Sequence, residues 1–133
     1  MRFYFDTSIW LDFYENRGIN GEKTNKLIEK IINDNSIILY SDQIIIELKK
    51  LDYTKEEIFE LFYLVKHFLK KVYPTKENLI EARNIAYKRD LPKKDVIHAI
   101  LSRDNEAQLI SRDRHFEKLK DITITKATED FII

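Results

Sequence analysis

Four acidic residues in this sequence draw attention by their position: Asp6, Glu47, Asp95 and Asp113. Asp6 directly follows an apolar start, and Thr7 and Ser8 come next. Asp113 comes soon after the apolar pair Leu109-Ile110, which is followed by Ser111. If the fold brings the four carboxylates together, they could do chemistry that none of them could do alone.

Converging carboxylates restrict the chemistry strongly. Two carboxylates about 4 Å apart repel each other by roughly 4 kcal/mol at an effective dielectric of about 20. Four of them therefore need a cation or shared protons. Oxygen ligands without any thiolate select a hard cation such as Mg²⁺ or Mn²⁺. Such an ion can activate water and stabilise the leaving oxygen of a phosphodiester, so no side-chain nucleophile is required.

Each acid also has a purely structural explanation. Asp6 and Asp113 could cap the helices that follow them, each contributing about 1 kcal/mol. Asp95 could interact with a helix dipole, and Glu47 could pair with Lys50 one turn further on. Capping gives no reason for Glu47 within the apolar stretch Gln43–Leu48, so the four acids together favour a site.

The elements that must position these acids alternate between strands and helices. Residues 2–5 are mostly aromatic and predict a strand that ends at Asp6. Residues 36–40 form an apolar run that is typical of a buried parallel strand. Ser41-Asp42 can cap a helix to about Leu51 that carries Glu47. Further helices are predicted over residues 8–16, 22–34, 54–71, 76–89 and 92–104, and further strands over 72–73, 107–111 and 122–124.

This alternation predicts an α/β fold with a central, mainly parallel sheet and helices on both faces. Ligands of such sheets bind beyond the carboxyl ends of the strands, where Asp6 and Asp113 are expected. A turn at Gly18–Gly21 should separate the first two helices. Thr54 and Glu57 form a capping box at the start of the 54–71 helix. Trp10 is predicted to lie in the core.

Composition excludes several classes of protein. The 133 residues contain no Cys, which excludes disulfides, zinc–thiolate sites and thiol nucleophiles. Two Gly are too few for a glycine-rich phosphate loop. We expect no membrane span and no signal peptide, and the lack of Cys fits the cytoplasm.

Charge is balanced overall but unevenly distributed. The segment from Lys66 to Lys94 contains nine basic residues and three acidic ones, within a chain of zero net charge. This basic middle is compatible with a phosphate-backbone partner, and equally with solvated helix faces.

The motifs that contain the four acids resemble those of a known family. They are Asp6-Thr7-Ser8 after a first strand, Glu47 in the third helix, Asp95-x-x-His98-Ala99, and Leu109-Ile110-Ser111-Arg112-Asp113-x-x-Phe116. These motifs resemble those of PIN domains, and their order and spacing are similar to the VapC toxins of bacterial and archaeal toxin–antitoxin pairs. The resemblance covers essentially the whole chain. Ser111 stands where Thr is common in the family, which keeps the hydroxyl.

The resemblance implies a PIN-like three-layer α/β/α fold, with residues 1–133 as a single domain. It also implies a Mg²⁺- or Mn²⁺-dependent endoribonuclease. Asp6 and Asp95 would be the central metal ligands, and Glu47 and Asp113 would complete the catalytic acidic pocket. Supporting polar groups would come from Thr7, Ser8 and Ser111.

Partners follow from the same resemblance and from exposed groups. RNA is the implied substrate, and a cognate antitoxin is the implied protein partner. Arg112 and Arg114 could contact RNA phosphates, or they could be plain surface charges. A second aromatic face on the 54–71 helix, with Phe59 and Tyr63, predicts a homodimer surface.

The roles of two histidines and two alternative functions stay open at this point. His98 is interpreted as structural and His115 as a surface residue. A non-catalytic RNA-binding or regulatory PIN module is the alternative function, although a binder has no need of four acids. A phosphatase with Asp6 as nucleophile would normally carry a second acid two residues later, where this chain has Ser8.

Overall fold

A four-stranded parallel sheet forms the centre of the molecule, in a computed structural model that describes residues 1–132. The strands are β1 (Arg2–Phe5), β2 (Ile37–Tyr40), β3 (Leu69–Lys71) and β4 (Gln108–Ile110), in the spatial order β3-β2-β1-β4. In the central strand β1, Phe3 pairs with Ile38 on one side and with Gln108 on the other. Because helices flank the sheet, the predicted α/β class and three-layer α/β/α arrangement are confirmed.

Within the described residues, six α-helices surround the sheet: α1 (Thr7–Glu15), α2 (Gly18–Asn33), α3 (Asp42–Lys50), α4 (Lys55–Tyr63), α5 (Lys76–Arg89) and α6 (Lys93–Asp104). Three 3₁₀ helices cover Lys66–Phe68, Arg114–Leu119 and Thr128–Phe131. No helix among residues 1–132 combines the length and the apolar character needed to cross a membrane.

The predicted capping box at the start of α4 is present. The Thr54 hydroxyl accepts a hydrogen bond from the Glu57 amide at 3.1 Å, and the Glu57 carboxylate accepts one from the Thr54 amide at 2.9 Å. These two bonds satisfy amides that have no partner within the helix. The start of α4 is therefore encoded locally, and the sequence pattern places it correctly.

Three predicted elements differ from the structure. The helix predicted over 54–71 ends at Tyr63, and β3 occupies Leu69–Lys71 instead of residues 72–73. β3 pairs with β2 through Ile38 and Leu69, a long-range contact that overrides the local helical period. The strand predicted over 122–124 is wrong, and the only β-pairing near it among the described residues is a bridge between Ile110 and Lys126.

The turn predicted at Gly18–Gly21 is also wrong, because α2 begins at Gly18. Gly21 is needed for a different reason. A Cβ at this position would lie 2.6 Å from the backbone carbonyl carbon of Asn16, closer than side chains are tolerated. The glycine lets the start of α2 pack directly against the end of α1.

The core fixes the elements that carry the acids. Trp10 is fully buried, as predicted, and packs edge-on against Phe5 and Phe62. Helix α6 is buried along its length from Asp95 to Ser102, so it lies inside the molecule rather than on its surface. A helix enclosed in this way holds its side chains in fixed positions.

Candidate metal centre

One open pocket of about 410 Å³ lies beyond the carboxyl ends of the strands and brings together all four predicted acids. Its lining residues are Asp6, Thr7, Ser8, Leu11, Glu47, Lys50, Leu51, Lys94, Asp95, His98 and Asp113. Asp6 and Asp95 are far apart in the chain and lie in the same pocket. These acids therefore lie beyond the carboxyl ends of the strands, which is where ligands of a parallel α/β sheet bind.

Asp6 is both a helix cap and a wall of the pocket. It directly follows β1, and its carboxylate accepts a hydrogen bond from the Ile9 amide at 3.3 Å, which caps α1. The Ser8 hydroxyl donates to the same carboxylate oxygen at 2.6 Å, and the Ser111 hydroxyl donates to the other oxygen. Burial raises the pKa of Asp6, and these two hydroxyls only partly oppose that rise.

Glu47 projects from α3, whose neighbouring residues Ile44 and Leu48 are fully buried in the core. Its carboxylate accepts a hydrogen bond from the Thr7 hydroxyl at 3.1 Å, lies 2.7 Å from His98 Nε2, and lies 3.9 Å from Lys94 Nζ. Burial alone would raise the pKa of Glu47, but these neighbours, His98 foremost, lower it on balance. The lowered pKa keeps the Glu47 side chain ionised near neutral pH.

A buried chain of hydrogen bonds holds His98 in place behind Glu47. The Tyr4 hydroxyl lies 2.7 Å from His98 Nδ1 and 2.7 Å from the Ser41 hydroxyl. Burial raises the pKa of Tyr4 well above its usual range, so this group stays protonated. These contacts agree with the structural role predicted for His98, but no local pattern indicates that its partners are Tyr4 and Glu47. Both of its ring nitrogens are engaged.

Asp95 lies in the first turn of α6 and is only 6% exposed. Among residues 1–132, no group donates a hydrogen bond to its carboxylate. Burial raises the pKa of Asp95, and the negative charge of Asp113 raises it further. In contrast to Glu47, this carboxylate is buried without a donor to stabilise its charge.

Asp113 lies opposite, after β4, and begins the 3₁₀ helix Arg114–Leu119. Its carboxylate accepts a hydrogen bond from the His115 amide at 2.9 Å, and its own amide donates to the Ser111 hydroxyl at 2.9 Å. His115 Nδ1 lies 3.4 Å from Asp113 and 3.9 Å from Asp95. His115 is exposed, as predicted, but no pattern in the sequence indicates that its ring lies close to two acids.

The donor set fits a divalent cation. Four carboxylates line one pocket, and two of them, Asp6 and Asp95, are buried with raised pKa values. One ligand atom each from Asp95, Asp113 and His115 lies within 4.8 Å of the others. Carboxylate oxygens are the ligands that hard cations take, and a bound cation would offset the repulsion among the acids.

The two arginines predicted as RNA contacts have different surroundings. Arg112 makes a bidentate ion pair with the buried carboxylate of Asp12, at 2.8 and 2.9 Å, and Arg17 pairs with the same carboxylate. Arg114 is exposed beside a shallow cleft that also contains Lys126. RNA contact by either residue stays a prediction. The basic residues that line the acidic pocket are Lys50 and Lys94, and neither is among the residues predicted to contact RNA.

Sequence comparison gives one match to a family and none to an individual curated protein. The family model described as PIN domain matches residues 3–122. Comparison with curated protein sequences returns no significant match.

Several solved structures share the fold. A chain of VapBC2 from Rickettsia felis, bound to a DNA fragment from the promoter, matches with a TM-score of 0.72 and 16% identity, covering 96% of this chain and 98% of that one. VapBC-1 from nontypeable Haemophilus influenzae matches with a TM-score of 0.66 and 18% identity, covering 97% and 99%. PAE2754 from Pyrobaculum aerophilum matches with a TM-score of 0.60 and 18% identity, covering 99% and 96%. At these identities the likeness concerns the fold.

Proposed function

The chain belongs to the PIN domain family, and on that basis we propose that it is a metal-dependent endoribonuclease that hydrolyses RNA phosphodiester bonds. The family match agrees with the resemblance drawn from the motifs. The observation that carries the proposal is the convergence of Asp6, Glu47, Asp95 and Asp113 on one pocket. A cap or a surface ion pair needs none of these acids to meet the others.

The acids would have separate roles in this enzyme. Asp6 and Asp95 would be the central ligands of Mg²⁺ or Mn²⁺, and Glu47 and Asp113 would complete the site. When bound, the cation would make water a stronger nucleophile near neutral pH and would offset charge on the phosphate. Thr7 orients Glu47, whereas Ser8 and Ser111 orient Asp6 through the hydrogen bonds described above.

Substrate binding would use the basic residues at the pocket. Lys94 lies 3.9 Å from Glu47 and is about half exposed, and Lys50 lines the same pocket. Their ammonium groups would attract the phosphates on either side of the scissile bond. Arg114, which directly follows Asp113, is exposed and would extend this contact.

The test is cleavage of a short labelled RNA by the full chain in Mn²⁺. We expect Asp6→Asn and Asp95→Asn each to lower the rate by about 10²-fold or more, as when one charged group of an active site is removed. Asp90→Asn is the matched control, because Asp90 is exposed at the end of α5 with a left-handed backbone that asparagine also adopts. Circular dichroism should show all three variants folded.

Undiminished cleavage by both site variants would refute the proposal. RNA binding that depends on salt, persists in a chelator and leads to no cleavage in any metal would favour the non-catalytic RNA-binding module instead. A DNA strand of the same sequence, assayed in parallel, would decide between RNA and DNA as substrate. A phosphoenzyme trapped on Asp6 would point to a phosphatase.

We further propose that the chain is the toxin of a toxin–antitoxin pair and acts in the cytoplasm. Support comes from the VapC-like motifs and from the VapBC structures with the same fold. Induced expression in a bacterial host should stop growth, and the product of the neighbouring gene should restore it. Asp95→Asn should be harmless in the same assay. Growth arrest by this variant would separate toxicity from catalysis.

A homodimer is the final part of the proposal. Phe59 and Leu64 are 67% and 65% exposed, and with Tyr14 and Tyr63 they line an apolar cleft of about 340 Å³. Apolar side chains grouped in this way are typical of an interaction surface. Light scattering at micromolar concentration should give a dimer that Phe59→Asp converts to a monomer. Tyr87→Asp, on the exposed face of α5, is the control, and dissociation by this variant alone would place the interface elsewhere.

A further inference from the structure

His115 is close enough to two of the acids to share an ion with them. Its Nδ1 atom lies 3.4 Å from Asp113 Oδ1 and 3.9 Å from Asp95 Oδ2. Donor atoms that each lie about 2.1 Å from one divalent ion are roughly 3.0 to 4.2 Å apart. These two separations both fall inside that range.

Asp95 gives a second, independent indication of a ligand at this place. Its carboxylate is 6% exposed, lines the pocket, and receives no hydrogen bond from residues 1–132. A buried carboxylate without a donor is costly, and such groups are normally paired or coordinate a metal. His115 Nδ1 lies 3.9 Å from this carboxylate and would complete the coordination.

The other two histidines of the chain cannot take this role. His98 has both ring nitrogens engaged, one with Tyr4 and one with Glu47. His67 is exposed in the 3₁₀ helix Lys66–Phe68 and does not belong to the cluster of Asp95, Asp113 and His115. Among the described residues, His115 is therefore the histidine whose ring nitrogen is grouped with the carboxylates of Asp95 and Asp113.

We propose that His115 supplies an imidazole ligand to the cation held by Asp95 and Asp113, and that this ligand makes the site prefer Mn²⁺ to Mg²⁺. The inference rests on the proposed metal site and adds a residue that the four-acid motif does not contain. Mg²⁺ keeps to oxygen ligands and water, whereas Mn²⁺ shares the carboxylate ligands of Mg²⁺ and, as a transition metal, also accepts an imidazole. One nitrogen among oxygen ligands therefore shifts the selectivity while leaving the acids to supply most of the charge.

The test reads the ligand directly through Mn²⁺, a paramagnetic ion. Metal-free full chain is loaded with Mn²⁺, and electron spin echo modulation is recorded to detect ¹⁴N coupled to the ion. The same samples are titrated with Mg²⁺ to find the concentration that displaces half of the Mn²⁺. The native chain should show nitrogen coupling, and His115→Ala should lose it. His115→Ala should also lower the preference for Mn²⁺ over Mg²⁺ by about tenfold.

Two further variants make the result specific. His115→Asp replaces nitrogen with oxygen, so it should retain Mn²⁺ binding but lose both the nitrogen coupling and the preference over Mg²⁺. His67→Ala should match the native chain in every measurement. Because His115 is exposed, its substitution should not disturb folding.

The outcomes separate this inference from the proposed function. Mn²⁺ binding that Asp95→Asn removes, without nitrogen coupling in the native chain, would overturn the role of His115 and leave the acidic site standing. Mn²⁺ binding that neither Asp95→Asn nor His115→Ala affects would overturn both. Nitrogen coupling that survives His115→Ala would assign the ligand to another histidine and also overturn the inference.

Discussion

Glu47 on α3 and Asp95 on α6 face the same pocket, yet the protein surrounds the two carboxylates very differently. Glu47 has a hydroxyl, an imidazole and an ammonium group nearby, and its pKa is lowered although burial opposes this. Asp95 has no hydrogen-bond donor among the described residues, and burial together with Asp113 raises its pKa. The protein itself stabilises the charge on the Glu47 wall of the pocket, whereas the charge on the Asp95 wall is left for a ligand to stabilise.

Asp6 lies between these extremes and explains the contrast. It accepts hydrogen bonds from Ser8, Ser111 and the Ile9 amide, but its burial still raises its pKa. Hydrogen bonds from two hydroxyls therefore do not offset the burial of Asp6, whereas the hydrogen bond with His98 is the main reason why the pKa of Glu47 is lowered. A cation should therefore affect the Asp6–Asp95 side far more than the Glu47 side.

The largest expected effect is stabilisation of the folded chain by metal. At a Mn²⁺ concentration about 100 times the Kd, the free energy of unfolding should rise by about 2.7 kcal/mol. For a domain of this size that corresponds to a Tm increase of roughly 10 °C. Calorimetry should show this increase for the native chain and for Asp90→Asn, and little of it for Asp95→Asn. An equal increase in Asp95→Asn would remove Asp95 from the site.

The next effect concerns the support behind Glu47. His98→Gln removes the imidazole next to Glu47, so the pKa of Glu47 should rise and cleavage should fall by about 10- to 100-fold, as is usual for groups that orient ligands. Carbon NMR of the Glu47 carboxyl during a pH titration measures the pKa. His67→Ala is the control. If His98→Gln slows cleavage but leaves the pKa of Glu47 unchanged, His98 contributes through packing and not through its contact with the Glu47 carboxylate.

The third effect is the pH dependence of stability in a chelator, which should have opposite signs on the two walls. The pKa of Asp95 is raised in the folded state from its ordinary value of 3.8, so its favourable contribution is present below that pH and is lost as pH rises through the folded-state value. Asp95→Asn should therefore become more stable than the native chain as pH increases from about 4 to 7.

Glu47 should behave in the reverse manner. Its pKa is lowered from 4.5, so its contribution is present above that pH and is lost as pH falls through the folded-state value. Glu47→Gln should therefore be less stable than the native chain at pH 7, and the difference should shrink in acid. Urea unfolding of both variants over this range makes the measurement. Parallel curves for the two would contradict the contrast between the walls.

The smallest effect belongs to the charged rim. Lys94→Gln should raise KM for RNA by about twofold to fivefold, because an ion pair at an exposed site contributes no more than about 1 kcal/mol. It should also make RNA binding less sensitive to salt. Lys93→Gln is the matched control, since Lys93 is exposed next to Lys94 but does not line the pocket. Equal effects of both changes would indicate general attraction rather than contact at the site.

Much of the fold could be predicted because its central elements are encoded locally. β1 and β2 are apolar runs, and the start of α4 has a capping box, so each was placed to within about one residue. β3 could not be predicted, because Leu69–Lys71 contains two lysines and is only partly buried at the edge of the sheet. Its strand character comes from pairing with β2, a contact that no local pattern reveals.

The site shows the same division. The four acids could be found because each follows a strand or lies in a helix whose position the pattern predicts. The support for Glu47 could not, because Tyr4 resembles an ordinary aromatic residue of a core strand. The two residues that pair with the Tyr4 hydroxyl, Ser41 and His98, lie 37 and 94 positions away in the chain. A buried tyrosine usually has a hydrogen-bond partner for its hydroxyl. That general rule is the one indication in the sequence that Tyr4 takes part in a polar network.

The ion pair between Arg112 and Asp12 has a consequence for motion. Arg112 directly precedes Asp113, and its guanidinium is bound at two points to a carboxylate that is 1% exposed. On the other side of Arg112, Ser111 is tied to Asp6. The segment with Asp113 and His115 is therefore anchored at its start, and swinging it outward would leave Asp12 short of a partner. We expect its amides to exchange slowly with solvent deuterium, and we expect product to leave without waiting for this loop to open.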